Sequence, residues 1–114
     1  MWADDWADFV TLSRAQALWS RTASKARDYG ATVDDYTNDL TGRDYIERAL
    51  EDLPEPWRSE LRAAIAPADQ AFREATEYDK RSLLASYFRI DDGSGWWWRR
   101  IPKTGPLATY LNTS

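Results

Sequence analysis

Residues 91–103 read Asp-Asp-Gly-Ser-Gly-Trp-Trp-Trp-Arg-Arg-Ile-Pro-Lys, three consecutive tryptophans and two arginines directly after a glycine-rich turn. Trp, Tyr and Arg dominate binding hot spots, because a flat ring or guanidinium buries much area with few rotamers to lose. Exposed rings beside arginines can stack a base, a sugar ring or a partner's side chain. The opposite chemistry lies upstream. Residues 28–60 hold ten acids against three bases, a net of −7, whereas residues 85–114 carry a net of +2. An acidic segment repels nucleic acid, attracts basic proteins and speeds their encounter. Its plainer role is to keep exposed helix faces solvated.

Other chemistries find little to work with. The chain has no His and no Cys. It therefore has no disulfide, no zinc–thiolate site and none of the side chains best suited to proton transfer near neutrality. Catalysis would rest on carboxylates, Tyr, Ser, Thr or Lys, and no Ser-x-x-Lys stretch or phosphate-cradling loop is present to organise them. The acids of "DDYTNDLTGRD" lack the spacing of a calcium loop. The expectation is a protein that is not an enzyme and carries no cofactor or metal.

The frame that must position these residues is small. With 114 residues, 43% hydrophobic, 30% charged and 14% aromatic, the chain has the makings of one soluble domain spanning 1–114. The acidic start "MWADDWADF" lacks the basic then apolar pattern of a signal peptide, and no run is long enough to span a membrane. A cytoplasmic location is the resulting expectation.

Periodicity predicts helix through the first thirty residues. Trp2, Trp6, Phe9, Val10 and Ala17 share one face, and Leu12, Trp19, Ala23 and Ala26 a neighbouring one. This is one long helix or two meeting near Ser13, with Asp4 and Asp5 in the first turn and Gly30 closing it. "ATVDDYTNDLTG" reads as a loop or a single turn. Thr41 then caps a second helix with Tyr45, Ile46, Ala49, Leu50 and Leu53 on its apolar side, stopped by Pro54. Pro56 opens a stripe of Trp57, Leu61, Ile65, Ala68, Phe72 and Ala75. Pro67 divides it into two helices, because an interior proline costs about 3 kcal/mol.

"SLLASYFRI" and "WWWRRIP" flank "DDGSG" and read as a β-hairpin. The expected fold class is α+β: three to four helices followed by a C-terminal antiparallel hairpin packed on them, closed by "PLATYL" as a short helix or strand. A two-residue loop would pair Ile90 with Trp97 and Phe88 with Arg99. One face would then carry Leu84, Phe88, Ile90, Trp97 and Ile101. The other would carry Tyr87, Arg89, Trp96, Trp98 and Arg100 as an aromatic–arginine ladder, and a loop longer by one residue would exchange the faces. Helices covering both faces would make the same residues a dense core with snorkelling arginines.

The leading functional expectation is a small protein-binding protein. In its specific form it is an inhibitor or immunity-type protein that blocks a basic partner such as a nuclease, with Asp34, Asp35, Asp39 and Asp44 as contact acids. The alternative is a small-ligand or anion-binding module built on Trp96, Trp98, Arg89 and Arg100. Nucleic acid and membranes are not expected partners, and an exposed Trp strand offers a route to a homodimer.

Overall fold

The computed structural model describes the backbone of residues 2–113 and the side chains of residues 12–113. Helix α1 spans Trp2–Lys25, α2 Val33–Asp52 and α3 Trp57–Ala75. Two three-residue strands follow, β1 (Thr76–Tyr78) and β2 (Arg100–Pro102), and α4 (Pro106–Asn112) closes the chain. The class is α+β, four helices with a two-stranded antiparallel sheet.

Helix α1 is continuous and does not break near Ser13. Its buried face is the one holding Ala15, Trp19, Ala23 and Ala26, while Ala17 is exposed. The side chains of Trp2, Asp4, Asp5, Trp6, Phe9 and Val10 lie outside the described residues. The left-handed residue after the helix is Asp28, with φ of 61°, rather than Gly30. Gly105 explains why the chain is pinned there. It sits at φ 96°, and a Cβ on it would fall 2.4 Å from the Asp28 Cα. The close approach lets Leu107 N–H donate to the Tyr29 carbonyl at 3.1 Å and seats α4 against the end of α1.

Helix α2 begins eight residues before the expected Thr41 cap, and the segment read as a loop is its first half. Thr32 and Asp35 form a capping box. The Asp35 N–H donates to Thr32 Oγ1 at 3.1 Å, and the Thr32 N–H donates to Asp35 Oδ2 at 3.3 Å. From there Val33, Tyr36, Leu40, Arg43, Ile46 and Leu50 turn inward at helical spacing. Gly42 lies inside the helix and costs about 1 kcal/mol relative to Ala, which burial on either side of it outweighs.

Helix α3 also corrects the sequence reading, since it runs unbroken through Pro67. The ring removes the hydrogen bond to the Ala63 carbonyl, but residues 62–64, 66 and 67 are exposed, so water can donate to it instead. Meanwhile Leu61, Ile65, Ala68, Phe72 and Ala75 keep one face on the core. Trp57, the first residue of the predicted stripe, is exposed. Phe72 is the hub, with ring centroids 4.8 Å from Trp19, 6.4 Å from Tyr36 and 6.1 Å from Trp96. Complete burial of such a ring is worth about 1.5–3 kcal/mol.

The antiparallel pair uses a different first strand from the one expected. Thr76 pairs with Pro102, Glu77 with Ile101 and Tyr78 with Arg100. Within the expected arms, residues 82–90 and 96–102, residues 83–86 and 96–99 are short 3-10 turns, and only 100–102 form a strand. Ile90 and Phe88 therefore pair with neither Trp97 nor Arg99, and among the described residues no tryptophan lies in a strand. A strand would place successive tryptophans on opposite faces. The 3-10 turn lets both Trp97 and Trp98 be buried, each with 2% of its surface exposed.

Candidate functional site

Two indole N–H groups cannot be buried without acceptors, and Asp44 of α2 supplies both. Trp97 Nε1 donates to Asp44 Oδ1 at 2.9 Å, and Trp98 Nε1 donates to Oδ1 and Oδ2 at 2.8 and 3.0 Å. The Trp97 ring is held on one side by the Arg43 guanidinium, 4.4 Å from its centroid. Gly95 also packs against this ring, and a Cβ there would fall 2.3 Å from ring carbons of Trp97. Only glycine allows the loop to close onto the indole, and that closure draws residues 91–95 toward the C-terminal half of α2.

Arg43 itself is buried, with 4% exposure. Its Nε and one terminal nitrogen fork onto Asp69 of α3, both at 3.0 Å, and the other nitrogen reaches Glu47 at 3.0 Å. Trp19 Nε1 donates to the same Asp69 at 2.8 Å. A charge-assisted network thus ties α1, α2, α3 and the Trp turn together, and every buried side-chain nitrogen and oxygen among the described residues has a partner.

The product is an open cleft of about 350 Å³ between α2 and the glycine loop. It is lined by Asp44, Glu47, Arg48 and Glu51 on one wall, Asp91, Gly93, Ser94 and Gly95 on the other, with Trp97 alongside. Asp91 is held by its own turn. Its Oδ1 accepts from Gly93 N–H at 2.9 Å, its N–H donates to Ser94 Oγ at 3.1 Å, and its carbonyl accepts from Arg99 at 2.8 Å. Four carboxyl groups and one guanidinium line it beside an indole. Asp44 is taken up by the two indole N–H groups and Glu47 bonds Arg43, which leaves Glu51 and Asp91 the most open to a ligand. That lining suits a cationic group with some apolar length, such as an arginine or lysine side chain.

The four acids singled out from the sequence do not act as one surface. Asp34 is exposed in the first turn of α2. Asp35 is spent on the capping box, Asp39 accepts from the Tyr29 hydroxyl at 2.6 Å, and Asp44 holds the two indoles. Burial and the Asp39 hydrogen bond push the Tyr29 phenol well above its usual range, and burial does the same to Tyr36, whose hydroxyl donates to the Arg100 carbonyl.

The expected aromatic–arginine ladder is absent. Trp98 is buried, and Trp96 is half-buried with Arg73, not Arg89 or Arg100, lying 3.9 Å over its ring. Arg100 turns back to close the end of α3. Its Nε donates to Thr76 Oγ1, and a terminal nitrogen donates to the carbonyls of Arg73 and Thr76. Arg89 is 92% exposed, with Asp91 at 4.0 Å. The ladder fails because its geometry presupposed strands, and a 3-10 turn does not alternate faces.

Of the residues that line the cleft, Asp44 is among the acids singled out from the sequence, whereas Glu47, Glu51, Asp91 and Gly95 are not among the predicted site residues. Spacing puts Glu47 and Glu51 on one side of a helix, but nothing local joins them to Asp91. Among the described residues no group of three or more acids is gathered as a metal site, and no helix is long and apolar enough to cross a membrane. The chain matches no protein-family model, no curated protein and no solved structure.

Proposed function

We propose that this protein works by binding another protein, and that the C-terminal half of α2 with the facing glycine loop receives a basic element of that partner. The observation that carries the reading is the acidic cleft itself, assembled from two elements some forty residues apart. A second feature supports it. The last turn of α2 holds Glu51 and Asp52 and no basic residue. Acids at a helix C-terminus oppose the macrodipole by about 0.3–1 kcal/mol each, a cost relieved when a cationic surface docks there. An inhibitor or immunity-type protein that covers the basic site of a nuclease or similar partner is the specific form of this proposal. Asp34 and the cleft acids would then supply the steering field.

The test is capture of binding proteins from native lysate at low and high salt, with the wild-type chain and a Glu51→Lys/Asp91→Lys variant. A partner held through the cleft is lost at high salt, and the variant weakens it about tenfold or more, since two contacting charges are reversed. Equal retention of the same proteins by the variant would sink the proposal.

A further inference from the structure

The other side of the Trp loop has the opposite character. Tyr78, Tyr87, Phe88 and Tyr110 are each 39–56% exposed, and they are four of the six large hydrophobic side chains exposed among the described residues. Contacts link part of this set. Tyr110 and Tyr87 share a hydrogen bond, and Phe88 stacks on Trp98 with centroids 4.3 Å apart and planes 9° apart. Trp98 and Tyr78 line one small cavity of about 70 Å³ together with Asp79, Ser82, Ala85, Ile90 and Arg99.

The charge in this region leans positive once buried Asp79 is set aside. Between residues 77 and 99 the charged side chains are Lys80, Arg81, Arg89 and Arg99 against Glu77, Asp79, Asp91 and Asp92, and Arg89 lies 4.0 Å from Asp91. Asp79 is buried, and its two oxygens accept from the N–H groups of Leu83 and Leu84, so it serves the 3-10 turn. Lys80, Arg81 and Arg89 are exposed. Exposed aromatics set among cations form a surface whose complement is acidic. The chain itself carries an acidic surface at Glu51 and Asp52, exposed in the last turn of α2.

We propose that this basic–aromatic face docks against the acidic C-terminal end of α2 on a second copy of the chain. Carboxylates of the second copy meet Lys80, Arg81 and Arg89, and the rings of Tyr78 and Phe88 lose water against the helix. Self-association of this kind covers the acidic cleft, so it competes with the basic partner proposed above. It does not require that partner to exist.

Sedimentation equilibrium with charge-swapped chains tests the proposal. The substituted positions are exposed, so the folded chain should tolerate each pair of changes. The wild type associates at low salt and separates at high salt. Lys80→Glu/Arg89→Glu and Glu51→Lys/Asp52→Lys each remain monomeric alone. An equimolar mixture of the two associates again, because each now carries the other's complement. A wild type that stays monomeric at low salt overturns the proposal, as does a mixture that fails to associate. The Lys80→Glu/Arg89→Glu variant also separates this result from the partner reading, since it leaves the acidic cleft intact for lysate capture.

Discussion

Asp44 and Glu51 lie two helical turns apart on α2, yet they belong to different parts of the protein's chemistry. Asp44 faces the Trp turn and closes two buried indole N–H groups, while Glu51 stands exposed at the rim of the cleft. Asp69 and Asp79 side with Asp44: one is fully engaged by Arg43 and Trp19, the other by the backbone of a 3-10 turn. Asp52 sides with Glu51, and Asp91 stands between the two, exposed but with Oδ1 accepting from Gly93 N–H in its own turn. The lesson is that the −7 of residues 28–60 counts together inward acids such as Asp44 and outward ones such as Glu51 and Asp52. Asp69 and Asp79, beyond that segment, extend the inward set. The inward set holds the fold, and the outward acids are left over for a partner.

The sharpest way to separate them is to remove the inward acids. Asp69→Ala leaves the Arg43 guanidinium buried without its bidentate partner and strips the acceptor from Trp19. A loss of about 3–5 kcal/mol is expected in urea or guanidinium unfolding. Asp44→Ala leaves two indole N–H groups without acceptors, and the expected loss is about 2–4 kcal/mol. A change in tryptophan emission should accompany it, since Trp97 and Trp98 lose their shared anchor. Glu51→Gln marks the other end of the scale. Its effect on unfolding should stay within about 0.5 kcal/mol, leaning toward stabilisation because it relieves a carboxylate at a helix C-terminus. If Glu51→Gln cost as much as Asp44→Ala, the division between inward and outward acids would collapse.

The same comparison shows how far the sequence could be read. The segment opened by Pro106 reads equally as helix or strand and is a helix, while the helix boundaries at Pro54 and Pro56 and the stripe from Leu61 to Ala75 were visible locally. So was a signal passed over: Thr32-x-x-Asp35 is a capping box, and it starts α2 ahead of residues whose Asp and Asn content resembles a loop. Pro67 misled in the other direction, because its lost hydrogen bond falls on an exposed stretch where water makes the penalty bearable. The hairpin was misplaced for a longer-range reason. β2 lies within the predicted second arm, but its partner is β1, more than twenty residues upstream, and a Gly-rich loop between aromatic runs favours the nearer pairing.

What the sequence determined by itself is the α+β class, most helix faces and the division of charge into an acidic middle and a basic end. Periodicity, caps and prolines act within a turn or two of chain, so their outcome is written locally. Only the tertiary structure decided which acid faces in, which tryptophan is covered and which carboxylates meet across a cleft. Those choices rest on contacts between residues some fifty positions apart, such as Trp97 with Asp44 and Trp19 with Asp69. A buried N–H takes whichever acceptor packing brings within about 3 Å, and no local pattern of residues specifies that neighbour.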